Sequence, residues 1–184
     1  MSAEENQDMT VRPVENPLLP VEVKPVEEKK QEFVLEVVPC LQLALVTRAW
    51  AKVKVYVEEL AARSKNDFQA NEVYQQIWTG GAFLHMGHIV DDVVGWRAGK
   101  EVNSKFVGFV ISKFSRNGLH LWMSHIEPEY RATNVFELGF KTIKEYTKSI
   151  SGREITAGVD DNMFGEALSR LGFKKTFTDW KLEL

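Results

Sequence analysis

From Leu119 to Val159 the sequence sets a strand, an amphipathic helix and a second strand in direct succession, and few folds accommodate that order. Asn117-Gly118 is a tight-turn dipeptide that leads into a strand over Leu119 to Ile126. After Ile126-Glu127-Pro128-Glu129-Tyr130-Arg131, the residues Phe136, Phe140, Ile143, Tyr146, Thr147 and Ile150 recur at helical steps. Lys141, Lys144 and Lys148 share a different face, which predicts one buried stripe and one solvated lysine side. Ser151-Gly152 stops the helix, and Glu154 to Val159 reads as a buried strand. A strand, helix and strand in this order form a right-handed crossover between parallel strands, with the helix N-terminus at the open end of the sheet. Backbone N–H groups and the positive end of the helix dipole make such a terminus receptive to anions.

The rest of the chain divides near residue 32. Residues 1–31 carry Pro13, Pro17, Pro20, Pro25 and many acids but no aromatic residue, so they bury too little apolar surface to offset the entropy of ordering. A disordered acidic arm is expected there, followed by one domain over residues 32–184. The Val21-Glu22-Val23 and Pro25-Val26 pieces of the arm suit addition to the sheet edge of a protein partner. Within the domain, Phe33 to Val38 reads as a strand, and the run from Leu45 through Tyr56 to Ala61 as a helix with its apolar residues at steps of three and four. Asn66 and Asp67 are candidate caps of a shorter helix ending at Gly80-Gly81. Ala82 to Val90 and Lys105 to Phe114 read as strands joined by a long or bulged connection, Asp91 to Asn103. Asp161 to Leu171 reads as a helix and Phe177 to Leu184 as one closing strand, which makes the class α/β.

Composition narrows the function classes. With 184 residues, 44% of them hydrophobic, the chain suits one sizeable core. A net charge of -3 provides no overall field for nucleic acid or an anionic membrane. The lone Cys40 precludes an intramolecular disulfide and suits a reducing compartment, where it reads as a small buried hydrophobe. Glu4, Glu5 and Asp8 stand where a secretory signal would be basic, and no apolar run is long enough to span a bilayer, so a cytoplasmic location is expected. His85 and His88 fall on opposite faces of a strand without a cysteine partner, and no metal is expected. The five tryptophans read as core anchors, and Ser124 lacks the glycine-flanked elbow of a serine hydrolase.

Ile126, Pro128, Tyr130 and Arg131 ahead of the crossover helix, with Leu171-Gly172-Phe173 closing the next helix, resemble the GNAT superfamily of acyl-CoA-dependent N-acetyltransferases. That resemblance implies a central mixed, mostly antiparallel sheet flanked by helices, with acetyl-CoA as cofactor. Its pyrophosphate would be cradled by Arg131, Ala132, Thr133, Asn134, Val135 and Phe136. The reaction implied is direct attack of an amine acceptor on an acyl thioester, with a base near the end of the preceding strand. Glu127 is the first candidate for that base and His125 the second. Strand alternation puts these two on one face and His120 on the other.

The chain also departs from the family pattern. Asn134 and Phe136 occupy the places of two phosphate-cradling glycines, and Leu168 stands where a tyrosine often protonates the departing thiolate. The alternative is therefore a catalytically inactive GNAT-fold protein acting in assembly, with the arm binding partners. Val73 to Phe83, a helix ending in Gly-Gly before a strand, also resembles GNAT-like proteins encoded by bacteriophages, some of which are virion parts; the location would then be the virion.

Overall fold

The computed structural model describes residues 31–63, 68–158, 162–176 and 180–183. The N-terminal arm up to residue 30, Asn66 and Asp67, Val159 and Asp161 lie outside the described residues. The elements are β1 (Glu32–Val37), α1 (Leu43–Arg63), α2 (Ala70–Trp78), β2 (Phe83–Val90), α3 (Val93–Arg97), β3 (Ser104–Ser115), β4 (Gly118–Ile126), a 3-10 turn (Pro128–Tyr130), α4 (Val135–Ser149), β5 (Glu154–Ala157), α5 (Asn162–Arg170), β6 (Lys174–Lys175) and β7 (Trp180–Glu183).

The strands form one mixed sheet in the order β1-β2-β3-β4-β5-β7-β6. Every neighbouring pair is antiparallel except β4 and β5, which run parallel as the crossover pattern requires. Their pairing runs only from Gly118 opposite Glu154 to Leu121 opposite Ala157. Gly118 makes the approach possible, because a Cβ there would lie 2.0 Å from the Glu154 carbonyl oxygen. The β3–β4 turn is Arg116-Asn117, so Gly118 is the first residue of the strand rather than part of the turn.

Each face of the sheet carries a core. Val46, Trp50, Val53 and Val57 of α1, with Val73 and Ile77 of α2, pack against Leu84, Met86, Phe109, Ile111 and Met123. On the other face Phe140 and Ile143 of α4 and Leu168 of α5 meet Leu119, Leu121, Ile155 and Ala157. Both helical stripes thus bury the faces their spacing predicts, and Lys141 and Lys148 stay exposed.

Several local expectations are corrected. The N-cap of α2 is Gln69, whose N–H donates to the Glu72 carboxylate at 3.1 Å, so the helix starts later than Asn66 and Asp67 suggest. The Asp91–Asn103 connection contains α3, capped by Asp92, which accepts the Gly95 N–H at 2.8 Å. The C-terminal segment supplies two strands, β6 and β7, where one was expected, because Phe173 ends the α5 stop early enough for Lys174-Lys175 to pair with Trp180 and Lys181. Trp50 anchors the core, whereas Trp78 at the end of α2 is 51% exposed. His85 and His88 do fall on opposite faces: His85 meets Tyr146 of α4, and His88 packs on Trp96 and Phe106.

Candidate active site

Beyond Leu121 the strand β4 changes phase. Met123 pairs with Ile111 and Leu121 with Ser112, so Trp122 is an extra residue with no partner opposite. Such a bulge reverses which face later side chains occupy. Leu119 and Leu121 lie in the α4-side core, whereas Met123, an even step later, lies in the α1-side core. His120, between the two leucines, therefore shares the α1 face with His125 and Glu127, which corrects the simple alternation. His120 Nδ1 lies 2.9 Å from Thr156 Oγ1 on β5.

A second bulge fixes the end of β4. Val107 of β3 has no partner on β2, and its carbonyl accepts the Glu127 N–H at 2.8 Å. Next to it, Gly108 lets β3 approach His125, since a Cβ at Gly108 would sit 2.2 Å from the His125 carbonyl oxygen. Arg131 Nε donates to the Ile126 carbonyl at 3.0 Å and fastens the segment that follows.

Tyr56 of α1 completes the cluster. Its hydroxyl donates to Glu127 Oε1. Its ring is stacked on the His125 imidazole at a centroid distance of 4.0 Å, with Phe109 on the imidazole at 6.0 Å. His125 Nε2 lies 3.8 Å from the same Glu127 oxygen, too far for a hydrogen bond, and is buried without a partner among the described residues. Burial holds the His125 pKa below its usual value; the Glu127 charge opposes this and the Arg131 charge adds to it. Tyr56 titrates above the ordinary phenol range, first because its proton is held by Glu127 and then through burial. At neutral pH the imidazole is consequently uncharged and the phenol protonated. The sequence gives Tyr56 no site role, because it falls within the apolar stripe of its helix; a lone hydroxyl among valines at core spacing is the signal it carries.

Eight residues beyond Glu127 lies the start of α4, at Val135. Its first intrahelical bond is from the Leu138 N–H to the Asn134 carbonyl at 3.0 Å, so the N–H groups of Val135, Phe136 and Glu137 lie ahead of the helical ladder. The Val135 N–H meets Thr133 Oγ1 at 3.4 Å. Arg131, Ala132, Thr133 and Asn134 are exposed. Val135 is buried and Phe136 turns inward onto Phe164 of α5, with ring centroids 5.7 Å apart. Of the six expected cradle residues, the last two thus offer backbone only. Phe136 packs on Phe164, and the N–H groups of Val135, Phe136 and Glu137 are what this helix start could offer an anion. Glu137 in the first turn stabilises the helix dipole and opposes a second negative charge there.

Leu168, at the place of the family's proton-donating tyrosine, is fully buried. Between α4 and the sheet, on the face away from Tyr56, lies an apolar cleft with about 500 Å³ of non-atom space, its mouth included; Phe33, Ile126, Phe136 and Phe164 are among its walls. Among the described residues no three His, Cys, Asp or Glu side chains converge to hold a metal, and no helix is long and apolar enough to cross a membrane.

The sequence matches no protein-family model and no curated protein. Solved structures do match in shape. The Salmonella typhimurium protein yncA, solved with its cofactor acetyl-CoA, superposes with a TM-score of 0.57 at 10% identity over 83% of this chain and 94% of that one. The IAA acetyltransferase from Bacillus cereus gives 0.57 at 9% identity over 83% of this chain and all of the other (100%). A protein of the GNAT family from Desulfovibrio desulfuricans superposes at 0.50 with 13% identity over 84% of this chain and 99% of that one. The chain has the GNAT fold. A domain from Methanocaldococcus jannaschii also superposes, at 0.54 and 13% identity over 84% of this chain and 100% of that one. In the GNAT fold as this chain builds it, α4 is the crossover helix and β4 the strand that carries the polar cluster.

Proposed function

We propose that this protein is an acyl-CoA-dependent N-acyltransferase of the GNAT type, transferring an acetyl group to an amine by direct attack. The observation that carries this reading is that one short segment joins the two parts such a reaction needs. His125 is the penultimate residue of β4 and Glu127 follows directly after the strand, and the chain then passes through the Arg131-anchored turn straight into the open helix start at Val135. In this reading the N–H groups of residues 132 to 137 receive the pyrophosphate, and acetyl-CoA supplies a carbonyl activated for attack. Glu127 or His125 takes the proton of the amine, and the Tyr56–Glu127 hydrogen bond keeps the carboxylate in place. No covalent intermediate on the protein is required. The test is calorimetry and thermal melting with acetyl-CoA. Measurable heat and a raised Tm are expected, because a ligand held only by the folded state stabilises it. No heat and no shift at millimolar ligand would overturn the reading.

A second reading is favoured by the burial of Leu168, which leaves an apolar side chain at the general-acid place. In it the domain is a catalytically inactive scaffold in an assembly, such as a phage virion, and the N-terminal arm binds the partner. Deleting residues 1–31 should then leave the Tm of the domain unchanged while weakening co-purification with its native assembly. Equal recovery of the same partners would exclude it. The acyltransferase reading places the protein in the cytoplasm.

A further inference from the structure

We infer that Tyr56 is a positioning residue for the acceptor end of this site: it holds one carboxylate oxygen of Glu127 inward and leaves the other for a protonated amine. The identity of that ligand rests on the acyltransferase reading, whereas the linkage between Tyr56 and Glu127 stands apart from it.

Glu127 Oε1 faces two groups at once. Tyr56 donates to it, and the buried His125 Nε2 lies 3.8 Å away with no other partner among the described residues. Glu127 Oε2 accepts no hydrogen bond from a described residue, and the side chain is 22% exposed. Without the phenol, Oε1 has a competing destination: it closes the gap to His125, and the imidazole then takes a proton to form an ion pair. A carboxylate so neutralised attracts an ammonium group poorly and accepts its proton poorly. Tyr56 prevents this by supplying an uncharged donor to the same oxygen. The ring that supplies it also lies against the imidazole, whose Nε2 is buried.

The step served is a proton transfer with no change in oxidation state. An ammonium N–H proton passes to Glu127 Oε2, the amine nitrogen regains its lone pair, and the carboxyl group later returns the proton to solvent. Besides Glu127, the charged or titratable groups bearing on His125 are Arg131 after β4 and Tyr56 and Glu59 on α1.

The test follows the His125 imidazole by NMR across pH in the full chain, in wild type, Tyr56→Phe, Glu127→Gln and the double variant. Tyr56→Phe keeps the ring and removes only the hydroxyl. It should raise the His125 midpoint by on the order of half a unit or more, as an ion pair with a nearby carboxylate does, and Glu127→Gln should abolish that rise. A residue that merely fills space leaves the midpoint where it is, and that result would overturn the inference. A second readout needs no Tyr56 variant: in Glu127→Gln the Tyr56 phenol should titrate closer to its ordinary value of 10.0, and an unmoved phenol would also overturn it. With acetyl-CoA and a panel of primary amines, Tyr56→Phe should lower kcat about tenfold with KM for acetyl-CoA unchanged, the size usual for disturbed acid–base positioning. If wild type binds no acetyl-CoA, the acyltransferase reading fails while the two titrations still decide the role of Tyr56.

Discussion

The ring of Tyr56 lies 29° from parallel to the imidazole of His125, so α1 and β4 meet face to face where both carry polar atoms. The stack places a neutral, desolvated imidazole beside a carboxylate already engaged by a phenol. The strand end is thereby built from three side chains rather than from the single base that the sequence suggests.

Buried histidines make the domain acid-sensitive. Burial lowers the pKa of His85 and His88 from 6.5 to about 4 in each case. The unfolded chain takes up these protons as pH falls from 6.5 toward 4 while the native state does not, so stability is full above this window and is lost through it. At about 1.4 kcal/mol per unit, His85 alone accounts for roughly 2 kcal/mol between pH 7 and pH 5. Urea unfolding at those two pH values checks this. His85→Gln should flatten the pH dependence.

Phe136 stands at a glycine place of the family pattern but belongs to the core through Phe164. Phe136→Gly is expected to destabilise the domain by about 3 kcal/mol, as removal of a packed aromatic does. It should not tighten acetyl-CoA binding. Denaturant unfolding and calorimetry on the same variant separate the two effects.

Gly108→Ala directs a methyl group at the His125 carbonyl, and backbone cannot move aside as a side-chain tip can. The cost should be about 2 kcal/mol, within the range for overpacked sites. The His125 NMR resonances should shift in the same variant, because β3 sets the position of that residue.

Restoring the family tyrosine should fail. Leu168 is 0% exposed, so Leu168→Tyr forces a larger side chain and an unpaired hydroxyl into a closed core. A loss of about 2 kcal/mol in stability and no gain in acyl transfer are expected.

The sequence reveals the crossover, both helical stripes and the seat of α4 because each is a local pattern of apolar spacing. The same spacing bounds β4, which puts His125 within the strand and Glu127 just after it. The sequence hides what depends on two strands at once. The unpaired Trp122 that moves His120 to the face of His125 is visible only in the pairing with Ile111 and Ser112. Tyr56 is hidden because its spacing is that of a core residue and its partner lies on another element. The α2 cap is hidden because a glutamine with a glutamate three residues later gives a weaker signal than Asn66-Asp67.

The parallel pairing of β4 with β5 stops at Leu121, one residue before the bulge. Among the described residues, the first part of β4 is held from both sides and the part toward Ile126 from β3 alone. Opening free energy should then fall along a single strand, with amide exchange slowest at Leu119 to Leu121 and fastest near Ile126. That end of β4 can then open locally while Leu119 and Leu121 stay seated in the α4-side core.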